Sequence, residues 1–460
     1  MPALPQAFID TLTGLPGYDA AAFLAVHESP ERITSVRLQP QKVQDATSVF
    51  PQLEITRVPW ARGGYYLSTR PSFTFDPQFH AGAYYVQEAS SMFLEEALRQ
   101  TIPASAPLRA LDLCAAPGGK STLIQAALPA GSFLVSNEVI RPRAALLADN
   151  LSRWGTTDVV VTNNDPRDFS RLEGFFDLMV VDAPCSGSGL FRRDPEAVNE
   201  WSYDNVMLCS QRQQRILADA LPSLKPGGVL IYSTCSYARE EDEQLLDWLM
   251  DHEQLVSLPL QLQPEWNIVA TASPVHKASG YRFYPDKVKG EGFFIACFRK
   301  EGEAGPPKKG KQKFAELPKK DAERILPWLK PGADVRMMLH DGEVLLLSPA
   351  VAEDMPLLQQ LYIRKAGVKA GQLSAKELIP DHQLALSTII AQDLPGVELT
   401  LEDALHYLRR EDLRFGEPLK GWALMRYRGM NLGWAKILPN RVNNYYPKEM
   451  RILKSGMPET

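Results

Sequence analysis

The sequence predicts an α/β chain organised around one doubly wound, largely parallel sheet, with a small domain ahead of it and an α+β region behind. Three observations predict this. Apolar runs of strand length alternate with amphipathic runs of helix length between about residues 109 and 298. Three of those strand runs end in tight polar turns, at Asp112 to Ser121, Asp182 to Gly189 and Tyr232 to Tyr237. Beyond them the segment Glu301 to Lys313 is poor in apolar residues and rich in Gly, Pro and Lys, which marks a linker and a boundary.

Taken in order, residues 1–80 form a leading accessory domain. It opens on helical spacing at Phe8, Leu12 and Leu15 and again over Ala20 to Val26, and continues in short β-like runs at Glu54 to Val58 and Tyr65 to Leu67. Residues 81–300 are the expected catalytic domain. A helix from about Gln87 to Arg99 leads into strand Arg109 to Cys114, helix Gly119 to Leu128, strand Ser132 to Asn137, helix Pro142 to Trp154 and strand Asp158 to Thr162. Strand Phe176 to Val181, helix Asn205 to Leu224, strand Val229 to Tyr232, helix Glu240 to Met250 and strand Phe293 to Phe298 complete it. The linker occupies 301–320 and a second accessory domain 321–395, where Asp341-Gly342 signals a hairpin within Val335 to Leu347. Residues 396–460 close the chain.

At 460 residues, with 45% hydrophobic and 23% charged residues, the chain is globular and has the length of two or three domains. Five cysteines, an odd number without regular spacing, argue against a disulfide framework and for a reducing compartment. Cysteine and histidine show no zinc-ligand spacing, so no metal is expected. Met1-Pro-Ala-Leu-Pro-Gln-Ala has neither a basic n-region nor an apolar h-region, and no uninterrupted apolar stretch is long enough to span a bilayer. A cytoplasmic protein without membrane contact is expected. The net charge of −5 is unevenly spread: between Pro418 and Lys454 eight basic residues accompany the single acid Glu449, interleaved with Trp422, Tyr427, Trp434, Tyr445 and Tyr446. Such a mixture suits RNA, through phosphate neutralisation and base stacking, and equally suits a small β-rich domain with an aromatic core and a solvated face.

The turn Cys114-Ala115-Ala116-Pro117-Gly118-Gly119-Lys120 follows a strand and opens a helix, so backbone N–H groups face a ligand that no side chain obstructs. It lacks the glycine spacing of a hydride-transfer dinucleotide fold and of a phosphate-binding P-loop. Acids follow at successive strand ends. Glu138 is placed to accept both hydroxyls of a ribose, Asp165 to accept from an adenine amino group, and Asp182 to face an aminoacyl end. Acids at these positions repel a pyrophosphate and fit S-adenosylmethionine.

That cofactor carries an electrophilic methyl group, so a nucleophile must be made from the substrate. Cys185 and Cys235 sit in polar, tightly turning sequence among Pro184, Ser186, Ser188, Ser233, Thr234 and Ser236, whereas Cys114, Cys209 and Cys297 fall in strand or helix patterns and read as small buried hydrophobes. A thiolate adding to C6 of cytosine turns C5 into an enamine-like carbon, and a second group then aids release.

The motifs at 114–120, 182–189 and 233–236 resemble the signatures of the NOL/NOP/Sun (NSUN) family of RNA cytosine-5 methyltransferases. Arg193-Asp-Pro-Glu196, Gln211-Arg-Gln-Gln214, Arg282-Phe-Tyr-Pro285 and Gly290-Glu-Gly-Phe-Phe294 are similar too, so the resemblance runs over about residues 80–300. The leading domain and the tail from Gly421 to Pro447 resemble those of RsmF-type bacterial ribosomal RNA enzymes, whose C-terminal part is PUA-like. The resemblance implies a Rossmann-like S-adenosylmethionine-dependent methyltransferase domain, with Cys235 as nucleophile, Cys185 aiding release and Asp182 holding the cytosine near N3. It implies cofactor contacts from residues 114–120, Glu138, Asp165 and Asp182, and a ribosomal RNA partner bound by a monomer. Transfer RNA as substrate, or a non-catalytic ribosome assembly factor, are the competing expectations.

Overall fold

The computed structural model describes residues 4–303, 314–413 and 420–456. The middle of the expected linker and the first two residues of the basic tail, Pro418 and Leu419, lie outside the described residues. The leading region contributes two helices, Gln6–Leu12 and Ala20–Glu28, the second capped by Asp19, whose carboxylate accepts Ala22 N–H at 3.1 Å. Phe8, Leu12 and Phe23 pack with Phe191, Tyr237 and Tyr284, so these helices brace the loops that carry the two candidate thiols. An antiparallel sheet follows, from β1 (Thr34–Leu38), β2 (Ile55–Arg57), β3 (Gly64–Leu67) and β4 (Tyr84–Val86), in the order β2-β3-β1-β4. β1 is buried throughout.

The central sheet contains β5 (Arg109–Asp112), β6 (Phe133–Asn137), β7 (Val159–Thr162), β8 (Phe176–Asp182), β9 (Leu224–Thr234), β10 (Leu255–Ser257), β11 (Val269–Ala272), β12 (Ser279–Phe283) and β13 (Phe293–Lys300). The parallel core runs β9-β8-β5-β6-β7, and β13, β12 and β11 extend it antiparallel from β9. Both faces are apolar because helices cover both, which is why these strands read as continuous Val, Leu and Ile runs. The doubly wound α/β expectation therefore holds, down to helices Gly119–Ala127 and Arg141–Trp154. The helix expected from Gln87 begins later. Glu88 accepts the N–H groups of Ser90 and Ser91, both at 2.8 Å, so the chain first makes a 3₁₀ turn at Ser90–Phe93 and is α-helical over Leu94–Thr101.

The region after the linker is joined to this sheet rather than only tethered to it. β17 (Ile363–Ala366) pairs antiparallel with β7 and supplies the far edge. Residues 314–320, expected as linker, instead begin structure: β14 (Ala315–Glu316) pairs with β15 (Arg336–His340), and helix Lys319–Ile325 follows. β15 and β16 (Glu343–Leu347) form the expected hairpin, with Asp341 and Gly342 both at positive φ, 48° and 78°. β18 (Val368–Leu373) and β19 (Leu378–Pro380) finish this sheet. The last sheet joins β20 (Gly396–Glu398), β21 (Gly421–Tyr427), β22 (Met430–Leu438) and β23 (Arg441–Asn444). Here the two readings of the aromatic tail divide by residue. Trp434 and Tyr446 are buried core, whereas Trp422 and the exposed Tyr445 meet edge-on at 4.5 Å on the surface, with Lys436 over the Trp422 ring. No helix among the described residues is long and apolar enough to cross a membrane.

Three regions meet at the C-terminal end of helix Arg141–Trp154. Lys42 Nζ donates to Arg153 O at 2.6 Å and to Ala81 O at 2.9 Å, and Gln39 Nε2 donates to Trp154 O at 2.9 Å, so the leading domain satisfies helix-end carbonyls. His382, from beyond the linker, sits half-buried against the Tyr446 ring, and its two ring nitrogens are buried with no hydrogen-bond partner. Burial, and then Arg153, Lys42 and His80, lower the His382 pKa to about 3, and burial holds His80 at about 4. Both imidazoles stay neutral in the fold, so between the ordinary value of about 6.5 and about 4 the unfolded chain binds more protons. Their contribution is complete above about pH 6.5 and is lost as pH falls. Calorimetric Tm should drop between pH 6.5 and 4, and His382→Leu, which removes two orphaned polar atoms, should make that drop shallower. An unchanged pH slope in His382→Leu would exclude His382 as its source.

Candidate active site

Every sequence-predicted site residue lies at the C-terminal edge of the parallel strands, where an open α/β sheet leaves a crevice. The loop after β5 is shaped by Gly118, whose φ of 115° disfavours any side chain, and the first turn of helix Gly119–Ala127 presents its free N–H groups to the crevice. Asn137, ending β6, ties three of these loops together. Its amide donates to Leu113 O at 3.2 Å and Asn164 O at 3.0 Å, while its Oδ1 accepts Thr162 Oγ1 at 2.9 Å and Asn164 N–H at 3.0 Å. Glu138 and Asp165 are thereby set at adjacent strand ends. Glu138 is nearly buried and accepts Ile140 N–H at 2.9 Å; Asp165 caps the following turn through Arg167 N–H at 3.2 Å.

Asp182 ends β8 and is held from two sides. Its carboxylate lies 2.8 Å from Lys120 Nζ and accepts Ser233 Oγ–H at 2.8 Å. Burial alone would depress the Lys120 pKa, but the Asp182 charge and hydrogen bond, with Cys235 and Asp112, together outweigh it and the ammonium is held above its ordinary value. Lys120 also rests over the Phe293 ring. Beneath them Asp112 is fully buried, its Oδ2 accepting Ser121 Oγ–H at 2.6 Å and its Oδ1 without a partner. Burial raises its pKa to about 7.

Cys185 and Cys235 come from loops 50 residues apart, and their sulfur atoms stand 3.0 Å from each other. Both side chains are half-buried. The contact with Cys235, and then burial, push the Cys185 thiol well above its ordinary range, so it is a neutral thiol at physiological pH. Cys209 and Cys297 are buried, as read from the sequence. Cys114 is half-buried, with its thiol pushed up by burial.

The thiol separation is set by a residue the motifs do not single out. Glu241 is fully buried and accepts from both cysteine loops: Ser186 N–H at 2.9 Å, Ser186 Oγ–H at 2.5 Å and Ser236 Oγ–H at 2.6 Å. Gln213 Nε2 donates to the same carboxylate at 3.0 Å and to Pro184 O at 3.0 Å. The neighbouring acids lock the same region. Asp242 accepts Thr234 Oγ1–H at 2.7 Å, and Arg282 pairs with Glu243 through Nε at 2.6 Å while standing 3.1 Å from Asp242. Gly189 brings the loops together from the other side. Its N–H donates to Cys235 O at 2.7 Å, and a Cβ there would lie 2.5 Å from Gly292 O.

Family models match the chain in three blocks: the N-terminal domain of 16S rRNA methyltransferase RsmF over residues 4–89, 16S rRNA methyltransferase RsmB/F over 104–299, and the methyltransferase RsmF PUA domain over 395–452. Ribosomal RNA small subunit methyltransferase F of Aliivibrio fischeri (strain MJ11) is 30% identical over 422 residues, 87% of this chain and 86% of that protein. The chain belongs to the RsmF family of ribosomal RNA methyltransferases. The Klebsiella pneumoniae (strain 342) member is 30% identical over 97% of this chain and 96% of its own length. Among solved structures, a methyltransferase homolog from Pyrococcus horikoshii matches 64% of this chain and 95% of its own at 30% identity and a TM-score of 0.54. NSun6 from the same organism, 18% identical, matches 65% of this chain and 99% of its own with a TM-score of 0.55, a likeness of fold.

Within this RNA methyltransferase, the Glu241 contact has a testable consequence. Glu241→Ala leaves several buried donors unpaired, each costing about 1–3 kcal/mol, and frees the two loops to separate. We expect a large loss of kcat with cofactor affinity nearly unchanged, since the 114–120 loop is held independently, and a partial recovery in Glu241→Gln. Equal kcat in wild type and Glu241→Ala would remove the carboxylate from any role in positioning the thiols.

Proposed function

We propose that this enzyme methylates C5 of a cytosine in small-subunit ribosomal RNA, with S-adenosylmethionine as methyl donor and Cys235 as covalent nucleophile. The observation that carries the reading is the pair of thiols 3.0 Å apart at the sheet edge that also holds the glycine loop and the strand-end acids. Asp182, the strand-end acid beside them, is in turn clamped by Lys120 and Ser233. The residues fit the cofactor. Gly118 and Gly119 leave the loop free of side chains, Glu138 stands at the adjacent strand end, and Asp112 Oδ1 is a buried acceptor without a partner under the loop. Residues 114–120, Glu138, Asp165 and Asp182 would hold it. When bound, it supplies an electrophilic methyl group for C5.

The chain's own residues do the rest. The Cys235 proton is taken up at cytosine N3, supported by Asp182, as Sγ bonds to C6 and the C5–C6 π electrons move onto C5; that N3 proton leaves to solvent with the finished product. Once C5 is methylated, its remaining proton passes to Cys185 while the Cys185 proton passes to the departing Cys235 sulfur. The C5–H electron pair restores the double bond, the C6–S bond breaks, and both cysteines end as thiols. A neutral Cys185 within contact distance of Cys235 suits that exchange.

The RsmF N-terminal and PUA matches favour ribosomal over transfer RNA. The intact thiol pair and strand-end acids disfavour a non-catalytic assembly factor. We further propose that residues 1–80, 321–395 and 396–460 serve RNA binding around a catalytic domain at 81–300, with 301–320 as connector. The enzyme acts as a cytoplasmic monomer, since one chain supplies the whole site.

Cys235→Ala should lower kcat by more than about 10⁴-fold and abolish any protein–RNA adduct while leaving cofactor binding intact. Cys185→Ala should accumulate an adduct that survives a denaturing gel. Turnover by Cys235→Ala, or an adduct that forms only when Cys185 is present, would overturn these roles.

A further inference from the structure

Two cavities lie between the leading domain and the catalytic domain, and neither contains the thiols or the strand-end acids. One, of about 360 Å³, is lined by Phe73, Phe79, Tyr85, Leu146 and Arg153 among others; the second, of about 320 Å³, is lined by Arg32, Gln87, Glu88, Gly290 and Glu291 among others. Arg70, Val86 and Arg193 line both, so the two are halves of one groove with two guanidinium groups at the divide. Each half lies in the size range of small-ligand clefts, about 300–1,000 Å³.

The groove adjoins the candidate active site along both walls. A Cβ on Gly119 of the glycine loop would stand 3.2 Å from Tyr85 Cε1 and 3.8 Å from Gln87. Asn150, also on the groove, donates to Pro117 O at 2.6 Å. On the other wall Gly290 and Glu291 precede Gly292, whose N–H donates to Gly189 O at 3.1 Å in the Cys185 loop; Arg193 ends that loop.

Its free charge is positive. Among the described residues Arg32, Arg70 and Arg193 have no carboxylate within ion-pair distance, and all three are exposed. The groove's two carboxylates are already engaged. Glu88 accepts the N–H groups of Ser90, Ser91 and Glu291, each at 2.8 Å, and Glu291 pairs with the buried Arg192 at 3.5 Å. Half-buried Phe79 and Tyr85 and about half-exposed Leu146 offer apolar surface in the first cavity. Unpaired guanidinium groups beside ring faces recognise the backbone and bases of unpaired RNA.

We propose that this groove binds the single-stranded nucleotides flanking the target cytosine, with a phosphate bridging Arg70 and Arg193 and a neighbouring base against Tyr85 and Phe79. The inference deepens the RNA methyltransferase reading above and rests on it. Held there, the strand passes the cofactor loop and the Cys185 loop, which keeps the flipped cytosine over the thiols and offsets the few kcal/mol of unstacking.

The test uses the full chain and a labelled single-stranded RNA of about 12 nucleotides, titrated by anisotropy over a range of salt. Arg70→Ala/Arg193→Ala should bind about tenfold more weakly, with the log–log salt slope reduced by about 0.7, the value for the one bridging phosphate of a single strand. Arg70→Lys/Arg193→Lys should recover the slope. With ribosomal RNA as substrate the Ala pair should raise KM and hold kcat, and its calorimetric affinity for S-adenosylmethionine should match wild type. Wild-type RNA affinity and slope in the Ala pair, or a loss that the Lys pair does not restore, would overturn the groove even with methylation intact. Failure of the wild-type enzyme to methylate cytosine would instead overturn the underlying reading while leaving these binding data interpretable.

Discussion

A single buried carboxylate, Glu241, holds the two candidate thiols in register. It accepts from the residue after each cysteine, Ser186 and Ser236, and from Gln213, which also secures Pro184. A charge buried this deeply is unfavourable unless every lone pair is engaged, and here the engaging donors come from two different loops and a helix. The carboxylate can be satisfied only when those loops converge. Its desolvation is therefore coupled to the geometry that brings two sulfur atoms to 3.0 Å. Asp242, Glu243 and Arg282 repeat the arrangement one layer away, where losing either partner of a buried ion pair costs about 3–5 kcal/mol.

The rest of the fold serves to present that edge. Parallel strands end together, so turns after β5, β6, β7, β8 and β9 share one crevice, and Asn137 ties three of the loops by one amide. The accessory regions close on the same body. The N-terminal helices pack against the thiol-bearing loops, Lys42 and Gln39 satisfy carbonyls at the end of helix Arg141–Trp154, and β17 pairs with β7 beside Asp165. Regions separated by a low-complexity linker are thus one mechanical unit with the catalytic sheet.

Much of this was legible in the sequence because local chemistry dictated it. Continuous apolar runs gave the parallel strands, Gly118 and Gly119 gave the loop before the helix, and Asp341-Gly342 gave the hairpin. What was hidden depends on partners far along the chain. Glu241 sits in Glu240-Glu-Asp-Glu243, which reads as a solvated helix start, and its partner Ser186 is 55 residues away. The 3₁₀ turn at Ser90–Phe93 depends on Glu88, which reads as an ordinary surface acid. β17 is Ile-Arg-Lys-Ala, polar enough to pass for a loop, and becomes a strand only because β7 offers an unpaired edge. In the aromatic tail, composition could not tell which rings are covered; Trp422 and Trp434 share one face of β21 and β22, and Trp434 is buried because Trp328 packs edge-on against it and its Nε1–H donates to Asp381 O, partners from far along the chain that Trp422 lacks.

The most direct test of the account is a map of 5-methylcytosine, by bisulfite sequencing and mass spectrometry, across ribosomal and transfer RNA from cells with and without this protein. Loss of one site confined to small-subunit ribosomal RNA, restored by the wild-type chain and not by Cys235→Ala, is the predicted result. An unchanged map, or a loss confined to transfer RNA, would contradict it.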